Sequence, residues 1–182
     1  MLFILFVCLV VIPEALFLTP KSYEVTLLSL TWAENSWPYD FKNIRLIGRE
    51  HLVNGTFTIL EDLNDENCVF STEIYHNPAR DGNFKLMPYS MPAMGVCTFF
   101  NDYGYYFTDS IKKENTDLFI NKTDCVFPKG THFLKNIAIS TDNWPPILAR
   151  GNIRHVASIF KNGVLSGTYN ITSSIDDRVL KF

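Results

Sequence analysis

Residues 152–175 read NIRHVASIFKNGVLSGTYNITSSI, a stretch in which two runs rich in strand-forming residues flank a turn signal. At its centre, Asn162-Gly163 predicts a tight hairpin turn, because both residues tolerate the positive φ angles that a two-residue hairpin requires. Beyond the turn, apolar and polar residues alternate, and the apolar set is Leu165, Gly167, Tyr169 and Ile171. A period of two is typical of a strand with one buried and one solvent-facing side. The stretch therefore predicts two antiparallel strands that turn one face toward a core.

Most of the remaining chain carries the same kind of signal. Runs rich in Val, Ile, Thr, Tyr and Phe are bounded by turn residues, and Pro145-Pro146 marks a loop because proline lacks the N–H that a strand ladder needs. The predicted strands are 22–32, 41–49, 52–60, 68–76, 83–88, 131–140, 152–160 and 164–175. So many short strands predict an all-β fold, a two-sheet antiparallel sandwich.

The segment 96–112 departs from the strand pattern. Its apolar residues follow helical spacing, and six of the nine residues in 99–107 are aromatic. Met91 and Met94 lie just upstream. We expect a short helix or an aromatic lid here. One interpretation is ordinary core packing. The other is the lid of a hydrophobic ligand chamber, because flexible methionines beside aromatic rings make adaptable apolar surfaces.

Composition excludes two classes of protein. Apolar residues make up 47% of the 182-residue chain, which excludes a disordered tail. Lysine and arginine number 16 against 19 acidic residues, so the sequence offers no basic footprint for nucleic acid. The length fits a single domain.

The N-terminal residues 1–12 contain no charge and are almost all apolar. As a helix they would span about 18 Å, well short of the roughly 30 Å hydrocarbon core of a membrane. A signal peptide over residues 1–18 fits this length better, and it predicts a secreted, extracellular protein with one β domain over 19–182. The alternative is a buried first strand of a cytosolic protein.

Three Asn-x-Ser/Thr acceptors agree with secretion: Asn54, Asn121 and Asn170. Asn54 and Asn170 occupy the polar positions of alternating strands. We therefore expect both to face outward, where a glycan costs no burial.

No catalytic pattern is evident in the sequence. The four histidines, His51, His76, His132 and His155, are scattered singly, without the spacing that marks zinc sites. Gly163–Gly167 places its serine one position late for a nucleophile elbow. Carboxylate pairs such as Asp65-Glu66 are interpreted as turn or edge residues. The sequence therefore predicts no catalytic residue, no metal site and no cofactor.

An ordered set of short motifs resembles the insect chemosensory-B family. The set covers nearly the whole mature chain and comprises 41–50 (FKNIRLIGRE), 53–57, 61–63, 82–85, Cys97, 125–131 (CVFPKGT), 135–136, Trp144-Pro145 and Gly151. That family is similar in turn to the ganglioside-activator branch of the ML lipid-recognition proteins, which fold as two-sheet β-cups around an apolar cavity. The resemblance implies a secreted, non-enzymatic protein of gustatory or pheromone sensing.

The implied ligand is a long-chain lipid or a cuticular hydrocarbon, presented to a chemosensory receptor or ion channel. Two other functions stay open. The chain could be an interaction module that docks on a receptor without lipid, or an activator that extracts a lipid for a separate hydrolase.

Three cysteines fall in the predicted mature domain, so it holds at most one internal disulfide. The resemblance pairs Cys97 with Cys125, which also bracket the aromatic residues. Cys68 would then be a small buried hydrophobe or an intermolecular partner.

The predicted chamber takes its walls from both sheets and its mouth from the aromatic residues. The expected wall residues are Phe57, Ile59, Phe133, Ile137 and Tyr169. The expected mouth or lid residues are Met91, Met94, Phe99, Phe100, Tyr103, Tyr106 and Phe107. The alternative is that these rings fill the core and leave no void.

Overall fold

Ten β-strands and one short α-helix form within the residues that a computed structural model describes, 21–33, 37–118 and 125–178. The strands are β1 (Tyr23–Trp32), β2 (Tyr39–Asp40), β3 (Arg45–Ile47), β4 (Leu52–Ile59), β5 (Cys68–Asn77), β6 (Lys85–Leu86), β7 (Met91–Gly95), β8 (Gly130–Ile137), β9 (Gly151–Lys161) and β10 (Val164–Asp177). Helix α1 (Val96–Tyr103) continues into a 3₁₀ helix, Gly104–Phe107. The predicted signal peptide 1–18 and Asn121 lie outside the described residues.

The larger sheet, here called the wide sheet, has the strand order β1-β10-β9-β5. Both β6 and β7 pair with the free edge of β5, and all pairs are antiparallel. The predicted hairpin joins β9 to β10, and Asn162 and Gly163 have φ angles of 49° and 80°. The positive angles at both turn residues explain why the sequence places Asn-Gly there.

The smaller sheet, here called the narrow sheet, is built around β4. Strand β8 pairs with one edge of β4, while the short strands β2 and β3 share the other edge. The two sheets confirm the predicted antiparallel sandwich with one short helix.

The core lies between the two sheets. Phe57 and Ile59 of the narrow sheet are buried, as are Ile159 and Tyr169 of the wide sheet. The ring of Phe41 joins them, with centroids 5.8 Å from Phe57 and 5.4 Å from Tyr169. Such aromatic contacts add to the free energy gained by removing apolar surface from water.

Two strands were not expected from the sequence. Strand β2 is only two residues long, too short to give a period-two signal. Strand β7 contains Pro92, which argues against a central strand. It forms because β7 pairs with the edge of β5, where a proline is tolerated. The predicted strands 41–49 and 83–88 shrink to β3 and β6.

The cysteine predictions are confirmed. Cys97 and Cys125 form a disulfide, and Cys68 is a free, buried thiol. Burial raises the pKa of Cys68 to about 12, because an apolar environment disfavours the thiolate. Cys68 therefore packs as a small apolar side chain.

Candidate ligand-binding site

One row of side chains crosses the middle of the wide sheet, and we call it the central row. It consists of Leu30 on β1, Ile171 on β10, His155 on β9 and Ile74 on β5, each paired with the next across the strands. Residues paired in this way lie on the same face of a sheet. The row is thus a band of three aliphatic side chains and one imidazole.

The central row faces the narrow sheet. Tyr169 stands two positions before Ile171 on β10, so the two side chains share a face. The Tyr169 ring contacts Tyr39, the first residue of β2, and Phe41, which follows β2, with ring centroids 5.8 and 5.4 Å apart. We call this side of the wide sheet the inner face.

Toward the β9–β10 hairpin, the inner face is covered by the narrow sheet. Ile159 is 5% exposed, and it belongs to the same apolar cluster as Phe57 and Leu63. This part of the sandwich is a closed, packed core.

At the opposite end, a loop over residues 138–150 covers the inner face. The Tyr23 hydroxyl donates a hydrogen bond to the Pro145 carbonyl at 2.6 Å. The His76 Nε2 donates to the Arg150 carbonyl at 2.9 Å. Tyr23 and Ile175 are fully buried there. Both ends of the inner face are therefore closed.

Between the two closed ends, the central row is left partly uncovered. Ile171 is 37% exposed, and Leu30, His155 and Ile74 are half-buried. In a filled sandwich the middle of the inner face would be the most buried part, because protein cores pack at crystal-like density. The central row therefore lines an accessible apolar surface between the sheets, which is the form expected for the floor of a cup.

The predicted lid, which we call the aromatic segment (residues 96–107), is tied down at its beginning. Asp65 Oδ1 accepts a hydrogen bond from the Cys97 amide at 2.6 Å, and Asp65 Oδ2 accepts one from the Thr98 hydroxyl at 2.7 Å. Asp65 thus caps helix α1 from a distant loop, supplying the acceptor that the first turn of a helix lacks. Gly95 is needed at this point, since a Cβ on it would lie 2.1 Å from Asp65 Oδ1.

The end of the aromatic segment is tied to the 138–150 loop. The Trp144 indole Nε1 donates to the Tyr106 carbonyl at 3.1 Å. The Asn143 amide nitrogen donates to the Tyr105 carbonyl at 2.9 Å. The segment is therefore a strap, fixed by Asp65 and the disulfide at one end and by this loop at the other.

The rings of the aromatic segment form two groups that meet where Phe99 contacts Phe100, with centroids 5.3 Å apart. Phe100 packs on the buried Phe127, with centroids 4.7 Å apart, so it belongs to the core. Phe99 packs against Phe70, with centroids 4.7 Å apart, and against Tyr103 and Phe107. Phe70 lies on the inner face of β5, because it pairs with Ile159. The second group therefore stands at the β5 edge of the cup, and its rings are half-buried.

Most of the predicted wall residues point between the sheets. Phe57, Ile59, Ile137 and Tyr169 are buried. Met94 pairs with Phe70 on the inner face and is half-buried, as is Met91. Tyr106 is half-buried and stacks against Tyr105, with centroids 4.0 Å apart.

The prediction for Phe133 is wrong. Phe57 pairs with His132, so Phe133 falls on the outer face opposite Thr56 and is 40% exposed. The pairing of β4 and β8 shifts register before Ile137, and Asn136 there has a φ of 49°. This bulge reverses the alternation, so Phe133 and Ile137 point to opposite sides although they are four positions apart.

Two of the predicted glycan acceptors lie on outer faces. Asn170 follows the inward-facing Tyr169, and Asn54 alternates with the buried side of β4. The Asn54 side-chain amide donates to Asn136 Oδ1 at 2.9 Å, and this contact is exposed.

An open cleft of about 410 Å³ lies apart from the central row. Eight of its ten lining residues are polar or charged: Asp109, Ser110, Lys112, Glu114, Asn115, Lys135, Asn136 and Ser140, with Ala138 and Ile139. Its chemistry does not suit an aliphatic chain.

Most residues of the central row were not predicted from the sequence to belong to a binding site. The signal was present, because Ile153, His155, Ala157 and Ile159 alternate along β9 and Ile171 was recognised as inward-facing. His155 gave no site prediction because a single histidine lacks the spacing found in metal-binding or catalytic motifs.

The fold defines a two-sheet antiparallel β-sandwich protein whose inner face is partly uncovered. Residues 70–154 match a family described as "Protein of unknown function (DUF1091)", and this similarity spans β5 to β9 with the aromatic segment. No curated protein matches the chain. Within the described residues, no helix is long and apolar enough to cross a membrane, and no group of three or more His, Cys, Asp or Glu side chains is placed to hold a metal ion.

Proposed function

We propose that this protein is a secreted, non-enzymatic carrier that binds a long-chain hydrophobic ligand between its two sheets. The observation that carries the proposal is the partial exposure of the central row, where aliphatic side chains line an inner face closed at both ends. An aliphatic chain laid on Ile171, Leu30 and Ile74 would cover the apolar surface that the narrow sheet leaves open.

The energetics of transfer favour such a ligand. Each methylene that leaves water contributes about 0.8 kcal/mol. Binding therefore needs shape and apolar area more than charged anchors. The rings of Phe99, Tyr103 and Phe107 at the β5 edge would contact the part of the chain that emerges from the cup.

The resemblance to the insect chemosensory-B family supports a finer version of the proposal. The ligand would be a long-chain lipid or a cuticular hydrocarbon pheromone, carried through aqueous lymph to a gustatory receptor or ion channel. Tyr105, within the aromatic segment, and Ile111, just after it, are exposed. A receptor could contact the loaded protein at these two side chains.

The test is binding of the fluorescent probe 1-N-phenylnaphthylamine to protein secreted from eukaryotic cells and stripped of lipid. Ile171→Gln should weaken binding roughly tenfold, since an unpaired amide on an apolar floor costs about 1–3 kcal/mol. Ile47→Gln is the matched control. Ile47 is 38% exposed and Ile171 is 37% exposed, but Ile47 lies on the outer face of β3. Its replacement should therefore leave probe binding unchanged.

Native mass spectrometry of the protein before lipid removal provides a second readout. A co-purified lipid supports the carrier. A protein that carries no lipid and binds no probe would contradict the proposal and favour an interaction module with a dry interior.

A further inference from the structure

His155 differs from the other histidines of the chain. The remaining three each donate a ring N–H to a backbone carbonyl: His51 to Leu27 at 2.7 Å, His76 to Arg150 at 2.9 Å and His132 to Pro128 at 3.2 Å. The His155 imidazole makes no hydrogen bond to any residue that the structure describes. It is also the polar member of an otherwise aliphatic central row.

The four nearest neighbours of His155 on the inner face are apolar. Ile171 and Ile74 flank it across the strands, and Ile153 and Ala157 flank it along β9. No charged side chain belongs to this set. Burial in these surroundings lowers the pKa of His155, so the ring is neutral at physiological pH and offers one donor and one acceptor.

Four side chains lie diagonally beside His155 on the inner face: Thr72, His76, Tyr169 and Ser173. Tyr169 and His76 already donate hydrogen bonds to the Tyr39 and Arg150 carbonyls, which leaves the two small hydroxyls. Thr72 pairs with Ala157, and Ser173 pairs with Ile153, which places both one step from His155 on the inner face. Both residues are buried, and neither side chain hydrogen-bonds to a described residue.

Diagonal neighbours in a sheet are about 7–8 Å apart, so one small polar group can contact His155 and one of the two hydroxyls. Thr72 and Ser173 lie on opposite sides of His155, because their partners Ala157 and Ile153 stand on either side of it along β9. Thr72 lies on the side away from Ile171 and Leu30, so a polar group between His155 and Thr72 leaves the rest of the central row free for an apolar chain.

We propose that His155, with Thr72, binds the hydroxyl head group of a neutral long-chain lipid, such as a fatty alcohol, whose chain lies along Ile171 and Leu30. This inference rests on the proposed carrier function and narrows its ligand class. A hydroxyl both donates and accepts, which matches a neutral imidazole. A carboxylate would need a cationic partner. Among the described residues, no lysine or arginine neighbours His155 on the inner face, and the diagonal neighbour His76 already donates to the Arg150 carbonyl.

The experiment compares displacement of 1-N-phenylnaphthylamine by hexadecan-1-ol, pentadecane and hexadecanoate, using wild type, His155→Leu and His155→Gln. Wild type should bind the alcohol more tightly than the alkane. His155→Leu should weaken alcohol binding about five- to tenfold, the effect of losing one hydrogen bond, and leave alkane binding unchanged. His155→Gln keeps a donor and an acceptor and should restore part of the alcohol affinity.

The alkane serves as the folding control, because a variant that still binds it has kept its cup. Equal loss of alcohol and alkane binding in both variants, or no preference for the alcohol in wild type, would overturn the inference while leaving the carrier function intact. Tighter binding of hexadecanoate than of the alcohol would overturn the neutral head group. Failure of wild type to bind all three would overturn the carrier function as well.

Discussion

Ile159 and Ile171 compare two regions of one surface. Both are isoleucines on the inner face of the wide sheet, on adjacent strands, yet Ile159 is 5% exposed and Ile171 is 37% exposed. Near the hairpin, the narrow sheet and Phe127 cover the inner face, whereas the central row has no such cover. The same alternating pattern thus produces a packed core in one region and an accessible apolar floor in the next. The difference shows that inward orientation and burial are separate properties.

The largest expected effect concerns the disulfide that fixes the cover of the packed region. Replacing both Cys97 and Cys125 by alanine removes a cross-link between residues 28 positions apart. In the chain-entropy model this should lower the free energy of unfolding by about 3–4 kcal/mol. Urea unfolding monitored by tryptophan fluorescence measures it. Cys68→Ala, which removes the free buried thiol, is the control and should cost less. Equal losses of unfolding free energy in the double variant and in Cys68→Ala would contradict a stabilising disulfide between Cys97 and Cys125.

The second prediction tests the comparison directly. Ile159→Ala should lower the free energy of unfolding by roughly 2–5 kcal/mol, because it opens a cavity in a packed core. Ile171→Ala should cost about 1 kcal/mol, since its side chain is already partly in water. Equal costs in lipid-free protein would mean that the central row is as well packed as the core. Added ligand stabilises the folded state, so it should increase the loss of unfolding free energy caused by Ile171→Ala, which also weakens binding. It should leave the loss caused by Ile159→Ala unchanged.

The third prediction concerns Asp65. Asp65→Ala removes the acceptor for the Cys97 and Thr98 amides and should cost about 1 kcal/mol, the usual range for a helix cap. Amide hydrogen exchange should accelerate in residues 97–103 and stay unchanged in β9. Asp65→Asn keeps one oxygen acceptor and should restore part of the protection. If exchange accelerates equally in β9, the effect is global and the cap is not the cause.

The smallest effect is expected from pH. The folded protein holds His155 neutral because burial lowers its pKa, whereas the unfolded chain protonates near the ordinary value of about 6.5. The unfolded state therefore binds more protons in acid. Stability should be unaffected well above about pH 6.5 and should fall progressively as the pH drops below it. His155→Gln should show a smaller loss of urea midpoint between neutral and mildly acidic pH. Parallel pH profiles for the two proteins would contradict the prediction.

Most strands could be predicted from the sequence because the alternation of apolar and polar residues is a local pattern. It placed Phe57, Ile59 and Tyr169 inward, and the Asn162-Gly163 turn forms as predicted. It failed at Phe133, because one extra residue in β8 reverses the alternation and adjacent apolar residues give no signal of which one is inward. The pairing of Cys97 with Cys125 came from the resemblance, and the structure confirms it.

The candidate site was only partly accessible to sequence reasoning. The aromatic segment was recognised, yet its division into a core ring, Phe100, and an edge cluster around Phe99 depends on contacts with distant Phe127 and Phe70. The cap supplied by Asp65 lies 32 residues before Cys97, so it carries no local capping signature.

The strands, the hairpin and the sets of side chains that share a face follow from local sequence, because they depend on backbone geometry over a few residues. Which part of the inner face is covered depends instead on contacts between distant segments. Coverage depends on where β4 and the 138–150 loop end relative to β9 and β10, and such distances arise from long-range packing that no local pattern records. That is why Ile159 became core while His155 and Ile171 became the floor of a cup.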